Sequence, residues 1–286
     1  MRKLILVVSI VFTLSLILTF SEVFSAPSDA SVPPKGSIYF KLFPEVFITS
    51  AVFDNSGTVI NLSDVSQISH INTQLELYYS ITDTLMAGFM LPVEYVRESY
   101  VTNVTNEKFS STETANPWII IKHQFLPKII CSASSIRIKL PIKDIKPTKE
   151  GFNLDDKQLD IYPVYYLDWQ SSLGVYIYSQ IGYKFRLKND NIKPGNELKL
   201  LFETGYAIVP GIIRIFTCSD FTRLFKGKIN ENITKSGYLY NIGAGVRFLF
   251  GRNIRVEIMT KADPVGRNQF RGIGGHVVIG YVFKLI

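Results

Sequence analysis

The sequence predicts an all-β protein: a transmembrane antiparallel β-barrel of about twelve strands, preceded by an N-terminal signal peptide. Three observations predict this fold. Long segments alternate apolar and polar residues, the connections between them alternate between short turns and long polar loops, and continuous apolarity is confined to the extreme N-terminus. The length of 286 residues fits one barrel domain.

Residues 173–187 show the alternation most clearly. One set of alternate residues, from Leu173 to Leu187, is almost wholly apolar, whereas the set from Gly174 to Arg186 is small, polar or amphipathic. A period of two is typical of a strand whose two faces meet different surroundings. The segment is longer than a strand of a soluble protein, and it exceeds the roughly nine to eleven residues that a tilted strand needs to cross a bilayer.

Residues 1–26 are predicted to be a signal peptide. Arg2 and Lys3 precede an apolar segment, and the small residues Ser25 and Ala26 offer a cleavage site. An uncleaved anchor helix is the alternative, since the apolar segment is rather long. Residues 27–35 are predicted to be a periplasmic lead, and residues 36–286 the barrel.

The strands follow in order. The first alternates weakly and contains Pro44, which a strand tolerates at an edge or a bulge. The second and third alternate cleanly around the turn at residues 82–84, and the facing of the fourth is ambiguous because residues 119–121 are all isoleucine. The predicted strands are 36–52, 70–81, 85–95, 115–126, 129–142, 158–167, 173–187, 198–208, 212–221, 237–250, 254–260 and 273–286.

The connections support a closed barrel that spans the outer membrane. Short turns follow the even-numbered strands and long loops follow the odd-numbered strands, the last long loop being residues 261–272. Outer-membrane barrels have an even strand number, short periplasmic turns and long outer loops. Because lipid cannot satisfy free backbone groups, the sheet must close. A soluble β-sandwich is the alternative, but its strands would be shorter and their outward faces polar.

If the apolar faces meet lipid, the other faces line the lumen. We expect a net basic arc there, accompanied by Asp160 and Glu197, which would attract anionic or polar solutes. The alternative is that these bases pair with acidic neighbours or reach the phosphates of lipopolysaccharide. The basic arc consists of Arg137, Lys139, Lys184, Arg186 and Lys199.

A set of tyrosines is also predicted to face the lumen, below the basic arc. An aromatic lining would guide apolar or aromatic solutes, but these rings could equally fill the barrel or belong to the aromatic girdle at the membrane interface. The predicted lumen tyrosines are Tyr78, Tyr162, Tyr166, Tyr176 and Tyr178.

The sequence offers little support for catalysis. A barrel lipase would need a serine, a histidine and an orienting acid or amide together, whereas His70 and His276 are predicted to face the lumen and nothing clearly orients His123. Cys131 and Cys218 are interpreted as isolated thiols of the wall. No metal-ligand spacing, cofactor motif or nucleic-acid motif is found. The chain is therefore predicted not to be an enzyme, and no cofactor is expected.

Several short motifs resemble a known family. They are Ile81-Thr82-Asp83-Thr84-Leu85, Leu91-Pro92-Val93, the segment from Pro117 to Lys122, Leu140-Pro141, and the segment from Pro194 to Leu198. Their placement is similar to that in the outer-membrane transporter family of the meta-pathway of phenol degradation. The Gly-rich stretch that this family has before the fourth strand is replaced here by Glu113-Thr114-Ala115-Asn116. The resemblance implies a porin-like transporter barrel for hydrophobic or aromatic compounds.

The predicted function is therefore a bacterial outer-membrane channel for small molecules. The alternatives are a barrel without transport activity that serves adhesion, surface structure or assembly, and a barrel lipase. The expected partners are outer-membrane lipid, lipopolysaccharide, small-molecule solutes and the barrel-assembly machinery, with no nucleic acid.

Overall fold

A computed structural model describes residues 29–62, 65–101, 106–127, 130–142, 158–188, 192–229, 232–251 and 253–284. The predicted signal peptide lies outside these residues. Twelve long antiparallel strands form one sheet. The strands are β1 (Ser37–Phe53), β2 (Val65–Ser80), β3 (Leu85–Val101), β4 (Trp118–Pro127), β5 (Ile130–Lys139), β6 (Asp160–Gln170), β7 (Val175–Arg186), β8 (Glu197–Val209), β9 (Ile213–Leu224), β10 (Gly237–Phe250), β11 (Ile254–Arg267) and β12 (Gln269–Lys284).

The sheet closes on itself, because β12 pairs with β1 along almost its whole length. Their ladder runs from Ser37 opposite Lys284 to Phe53 opposite Gln269. Every other strand pairs with its neighbours in the sequence. The prediction of a twelve-stranded antiparallel barrel is confirmed. Among the described residues, no helix has the length and apolarity needed to cross a membrane.

The alternation of side chains decides which face of each strand points outward. In β4, Ile119 and Ile121 are 44% and 52% exposed, whereas Ile120 between them is 1% exposed. This resolves the ambiguous facing of that strand. Large apolar side chains cover the outside of the barrel in this way on every strand, as Ile136, Ile181 and Ile258 illustrate. Such an exterior is stable in contact with hydrocarbon, and the closed ladder satisfies the backbone there.

Pro44 lies where the ladder of β1 is interrupted. Residue Leu42 pairs with Ile279 and Glu45 pairs with His276, so the ladder to β12 passes over Phe43 and Pro44. On its other side, Pro44 stays in register with Thr73 of β2. A proline has no amide hydrogen to donate, and the interruption removes the need for one.

The structure corrects the predicted loop at residues 261–272. Strands β11 and β12 continue to Arg267 and from Gln269, and Asn268 between them has a φ of 50°. The ladder between the two strands ends at Ala262 opposite Ile273. Beyond that point β11 pairs with β10 and β12 pairs with β1. Pro264 has no amide hydrogen to donate. It is tolerated in β11 because β11 no longer pairs with β12 at this position.

The predicted loop after β3 also contains strand structure. Residues Asn106–Thr114 form a strand that pairs with the part of β3 at the loop end, from Val93 to Val101. Strand β4 pairs with the part of β3 near the short turn, from Leu85 to Met90. Short strands at Val59–Asn61, Ile192–Lys193, Lys228–Ile229 and Asn232–Ile233 extend the loop side further.

Candidate functional site: the barrel lumen

We call the half of the lumen at the short-turn end the lower lumen and the half at the loop end the upper lumen. Four residues of the basic arc come together in the upper lumen, around two acids. Lys139 Nζ lies 3.1 Å from Asp160, and Lys184 Nζ lies 3.2 Å from Glu197. Arg186 lies between the acids, 3.8 Å from Asp160 and 3.7 Å from Glu197, and Lys199 Nζ lies 3.8 Å from Glu197. Four positive charges therefore share two negative charges.

The fifth residue of the basic arc lies one position deeper. Arg137 pairs in register with Tyr162, and its Nη2 donates a hydrogen bond of 2.7 Å to the hydroxyl of Tyr166. The guanidinium carbon lies 5.8 Å from the centre of the Tyr162 ring. The hydroxyl of Tyr166 is also 3.0 Å from Ser135 Oγ. Arg137 therefore joins the basic arc to the tyrosines below it.

Four of the five predicted lumen tyrosines pack into one buried cluster. Tyr78, Tyr162, Tyr166 and Tyr178 share it with Met86, Met90, Trp118 and Ile120. Tyr176 lies apart, packed with Phe216 and Met259. All five rings are at most 8% exposed. The rings that the sequence predicted to face the lumen are thus packed against neighbouring side chains.

Several of these rings lie close to a glycine of a neighbouring strand. A Cβ atom at Gly182 would lie 2.5 Å from the Tyr162 ring, and one at Gly88 would lie 2.5 Å from the Tyr78 ring. Tyr176 covers Gly205 in the same manner. A ring that covers a cross-strand glycine shields its backbone and fixes the register of the two strands. This geometry favours a filling role for the tyrosines over a sliding surface for solutes.

A second buried group, which the sequence analysis did not predict, occupies the lower lumen between β8 and β12. We call it the ionic cluster: Glu203, Arg247, Arg255, Glu257 and His276. Arg247 lies 2.8 Å from Glu203 and 2.6 Å from Glu257, and Arg255 lies 2.7 Å from Glu257. His276 Nε2 lies 3.1 Å from the other oxygen of Glu257. The alternation of side chains along each strand predicts that these residues point inward. Which of them pair with each other depends on the register of four strands.

The N-terminal residues that were predicted to be a periplasmic lead enter the lower lumen. Residues 29–36, the plug segment, run from inside the barrel to the start of β1. Ala30 is fully buried and Val32 is 8% exposed, and both pack in the same cluster as Tyr78 and Tyr178. At the rim, the amide of Lys35 donates a hydrogen bond of 2.8 Å to Asp83 Oδ1 in the turn after β2.

The histidines and cysteines take separate places in the wall. His70 faces the lumen 3.6 Å from Glu94, whereas His123 is exposed on the outside and pairs in register with Ser134. Cys131 and Cys218 are free thiols. Within the residues that the structure describes, no three His, Cys, Asp or Glu side chains are placed to hold a metal ion.

A hollow of about 910 Å³ lies on the lipid-facing side of the wall, from β8 to β12 and across to β1. Small outward residues such as Thr204, Ala244 and Gly275 line it, between larger residues such as Phe202 and Ile273. It is open to the surroundings of the barrel, and it lies outside the lumen that carries the charged residues.

Comparisons with known proteins agree with this architecture. A family model described as "Putative MetA-pathway of phenol degradation" matches residues 133–277, from within β5 to within β12. No curated protein matches the sequence. The structure is similar to that of the COG4313 outer membrane channel from Pseudomonas putida F1, with a TM-score of 0.75, 12% identity, and coverage of 90% of this chain and 99% of that one.

Two other barrels are similar at a lower level. The translocator domain of the autotransporter NalP from Neisseria meningitidis has a TM-score of 0.49 at 12% identity, covering 88% of this chain and 90% of that chain. The toluene transporter TodX of P. putida has a TM-score of 0.47 at 8% identity, covering 89% and 92%. At 12% identity, the similarity to the COG4313 channel shows a shared barrel fold.

Proposed function

Because the chain belongs to the family described as "Putative MetA-pathway of phenol degradation", we propose that it is a bacterial outer-membrane channel for small molecules, hydrophobic or aromatic compounds among them. The observation that carries the proposal is a closed barrel with large apolar side chains on its outside and charged side chains within. Such a barrel encloses a polar interior that has no contact with lipid, which is the architecture of a channel.

In this proposal the basic arc receives solutes at the loop side of the barrel. Lys139, Lys184, Arg186 and Lys199 have two acids within 4 Å, Asp160 and Glu197, so the arc keeps a positive excess. A narrow passage lined by one sign of charge concentrates solutes of the other sign. Lipopolysaccharide surrounds this end of an outer-membrane barrel, and the barrel-assembly machinery would insert the chain.

A barrel without transport activity is the second candidate, and the filled lower lumen favours it. The plug segment and the ionic cluster lie at the short-turn end, and the tyrosine cluster (Tyr78, Tyr162, Tyr166 and Tyr178) fills the lumen from there up to the level of Arg137. A channel therefore needs an opening movement of this end, whereas a purely structural barrel needs none. We favour the channel because the positive excess of the basic arc has no structural use in a barrel that only anchors loops.

Planar bilayers test the proposal with the purified mature protein. We expect stepwise ionic conductance from the wild type, and a shift of the reversal potential toward cation selectivity in the variant Lys184→Glu, Lys199→Glu. Lys35→Glu at the periplasmic rim serves as a control with the same change of charge per residue, and we expect a smaller shift from it. The channel would be contradicted if both the wild type and a variant lacking residues 27–35 showed no conductance and no solute uptake into liposomes.

A further inference from the structure

The carboxylate of Asp29 lies in the lower lumen among three cationic side chains. Its Oδ1 atom is 3.4 Å from Lys41 Nζ and 3.9 Å from Arg255 Nη1. Lys122 approaches the same segment from β4, and its Nζ donates a hydrogen bond of 2.9 Å to the carbonyl oxygen of Ser31. Asp29 therefore lies among positive charges contributed by β1, β4 and β11.

The residues next to Asp29 hold it in place through specific contacts. Cys131 Sγ donates to the carbonyl oxygen of Ala30 over 3.1 Å, and the amide of Val32 donates to Gln124 Oε1 over 2.7 Å. These contacts use backbone groups of the segment and fix its position, while the side chains of Ala30 and Val32 pack in the buried cluster. Asp29 adds a charged contact with Lys41 and Arg255.

The balance of charges shows what Asp29 contributes. Glu76 lies 3.8 Å from Lys41, and Glu257 lies 2.7 Å from Arg255, so two acids of the wall face three bases, and Glu257 is also shared with Arg247. Asp29 supplies the third negative charge. Burial alone would raise the pKa of the Asp29 carboxyl, but the positive charges of Lys41, Arg255 and Lys122 outweigh burial and lower that pKa, so the group stays ionised.

The surroundings of this carboxylate are aromatic. The rings of Tyr39 and Tyr78 are stacked with their centroids 5.9 Å apart, and Tyr39 and Tyr178 belong with Ala30 and Val32 to one buried cluster. When the plug segment leaves, the three cations and these rings are exposed together. A buried cation without a counter-charge is costly, so another anion with an apolar body would be favoured there.

We propose that Lys41, Lys122 and Arg255 form a binding site for small aromatic carboxylates in the lower lumen, and that Asp29 occupies it as a tethered ligand which such a solute displaces. This proposal rests on the proposed function in one respect: displacement of the plug segment opens the path through the barrel. A neutral aromatic compound of the same size cannot replace the charge of Asp29, and it leaves the segment in place.

Cys131 provides a native reporter, because its sulfur contacts the plug segment at Ala30. We would measure the rate of maleimide labelling of Cys131 in the detergent-solubilised protein by peptide mass spectrometry, with Cys218 as the internal reference. Benzoate is expected to raise the rate at least about tenfold, because displacement of the segment uncovers the sulfur, and benzyl alcohol is expected to leave it unchanged. Asp29→Asn should raise the rate without benzoate.

Asp83→Asn is the matched control, since it makes the same chemical change at the exposed rim end of the segment, where Asp83 accepts from Lys35. We expect it to change the labelling rate less than about twofold. Lys122→Met should abolish the response to benzoate, and resistance of the folded barrel to dodecyl sulfate without heating verifies its fold. Equal rates in the wild type, in Asp29→Asn and with benzoate would overturn the site. A labelling response in a protein that never conducts would retain the site and reject the channel.

Discussion

In the lower lumen, Arg247 is held between Glu203 and Glu257 at 2.8 and 2.6 Å, and its side chain is 8% exposed. In the upper lumen, Lys199 lies 3.8 Å from Glu197, and its side chain is 43% exposed. Both residues are bases that face inward on neighbouring parts of the wall. They differ in the number of close acidic partners and in their access to water.

This difference separates two roles for lumen charges. A buried ion pair loses its hydration on folding, so its partners depend on each other for stability. An ion pair in contact with water contributes little to stability, but its field reaches solutes. We therefore infer that the ionic cluster of the lower lumen holds the barrel together, as does the buried pair of Lys139 and Asp160, and that the more exposed bases of the arc around Glu197 act on what enters.

The largest effect that tests this comparison is expected from Arg247→Met. The substitution leaves Glu203 and Glu257 buried without their shared cation, and we expect the free energy of unfolding to fall by about 3–5 kcal/mol. Urea unfolding in detergent micelles, followed by tryptophan fluorescence, measures it. The matched change in the upper lumen, Lys199→Met, should cost about 1 kcal/mol or less. Similar losses in both variants would remove the distinction between the two halves.

The same comparison shows what the sequence could predict. Period-two alternation predicted Lys184 and Tyr178 on the inward face and Ile181 on the outward face; in the structure the first two side chains are largely buried and Ile181 is exposed. Alternation does not determine which inward residues meet across the lumen. Glu203 and Arg247, which are 44 residues apart, meet only because of the registers of β8, β9 and β10.

The plug segment and the outer part of β11 were beyond prediction for other reasons. Residues 29–36 carry no alternation, and what holds Ala30 and Asp29 in the lumen is a set of partners on distant strands. At Pro264, local preference favoured a loop, but pairing with β10 on one side continued the strand. In both places, tertiary contacts decided a conformation that local sequence left open.

An intermediate effect is expected from Gly88→Ala, which tests how tightly the lower lumen is filled. The new methyl group would lie 2.3 Å from the carbonyl oxygen of Leu77 and 2.5 Å from the Tyr78 ring. Overpacking of this kind costs about 1–3 kcal/mol of unfolding free energy. The same urea titration measures it, and the outward neighbour Ala87→Val is the control, with an expected change within about 0.5 kcal/mol. An unchanged Gly88→Ala protein would mean that the Tyr78 ring is free to move.

The smallest effect on stability, and the clearest effect on solutes, is expected from Glu197→Gln. Glu197 is the acid that Lys184, Arg186 and Lys199 share, and its side chain is 15% exposed. Because the three bases remain partly exposed, Lys199 most of all, and Arg186 keeps Asp160 as a partner, we expect a loss of about 1 kcal/mol or less. The basic arc gains one net positive charge, so the reversal potential in a salt gradient should shift toward anion selectivity. A large loss of stability with unchanged selectivity would assign the upper lumen the same structural role as the lower lumen.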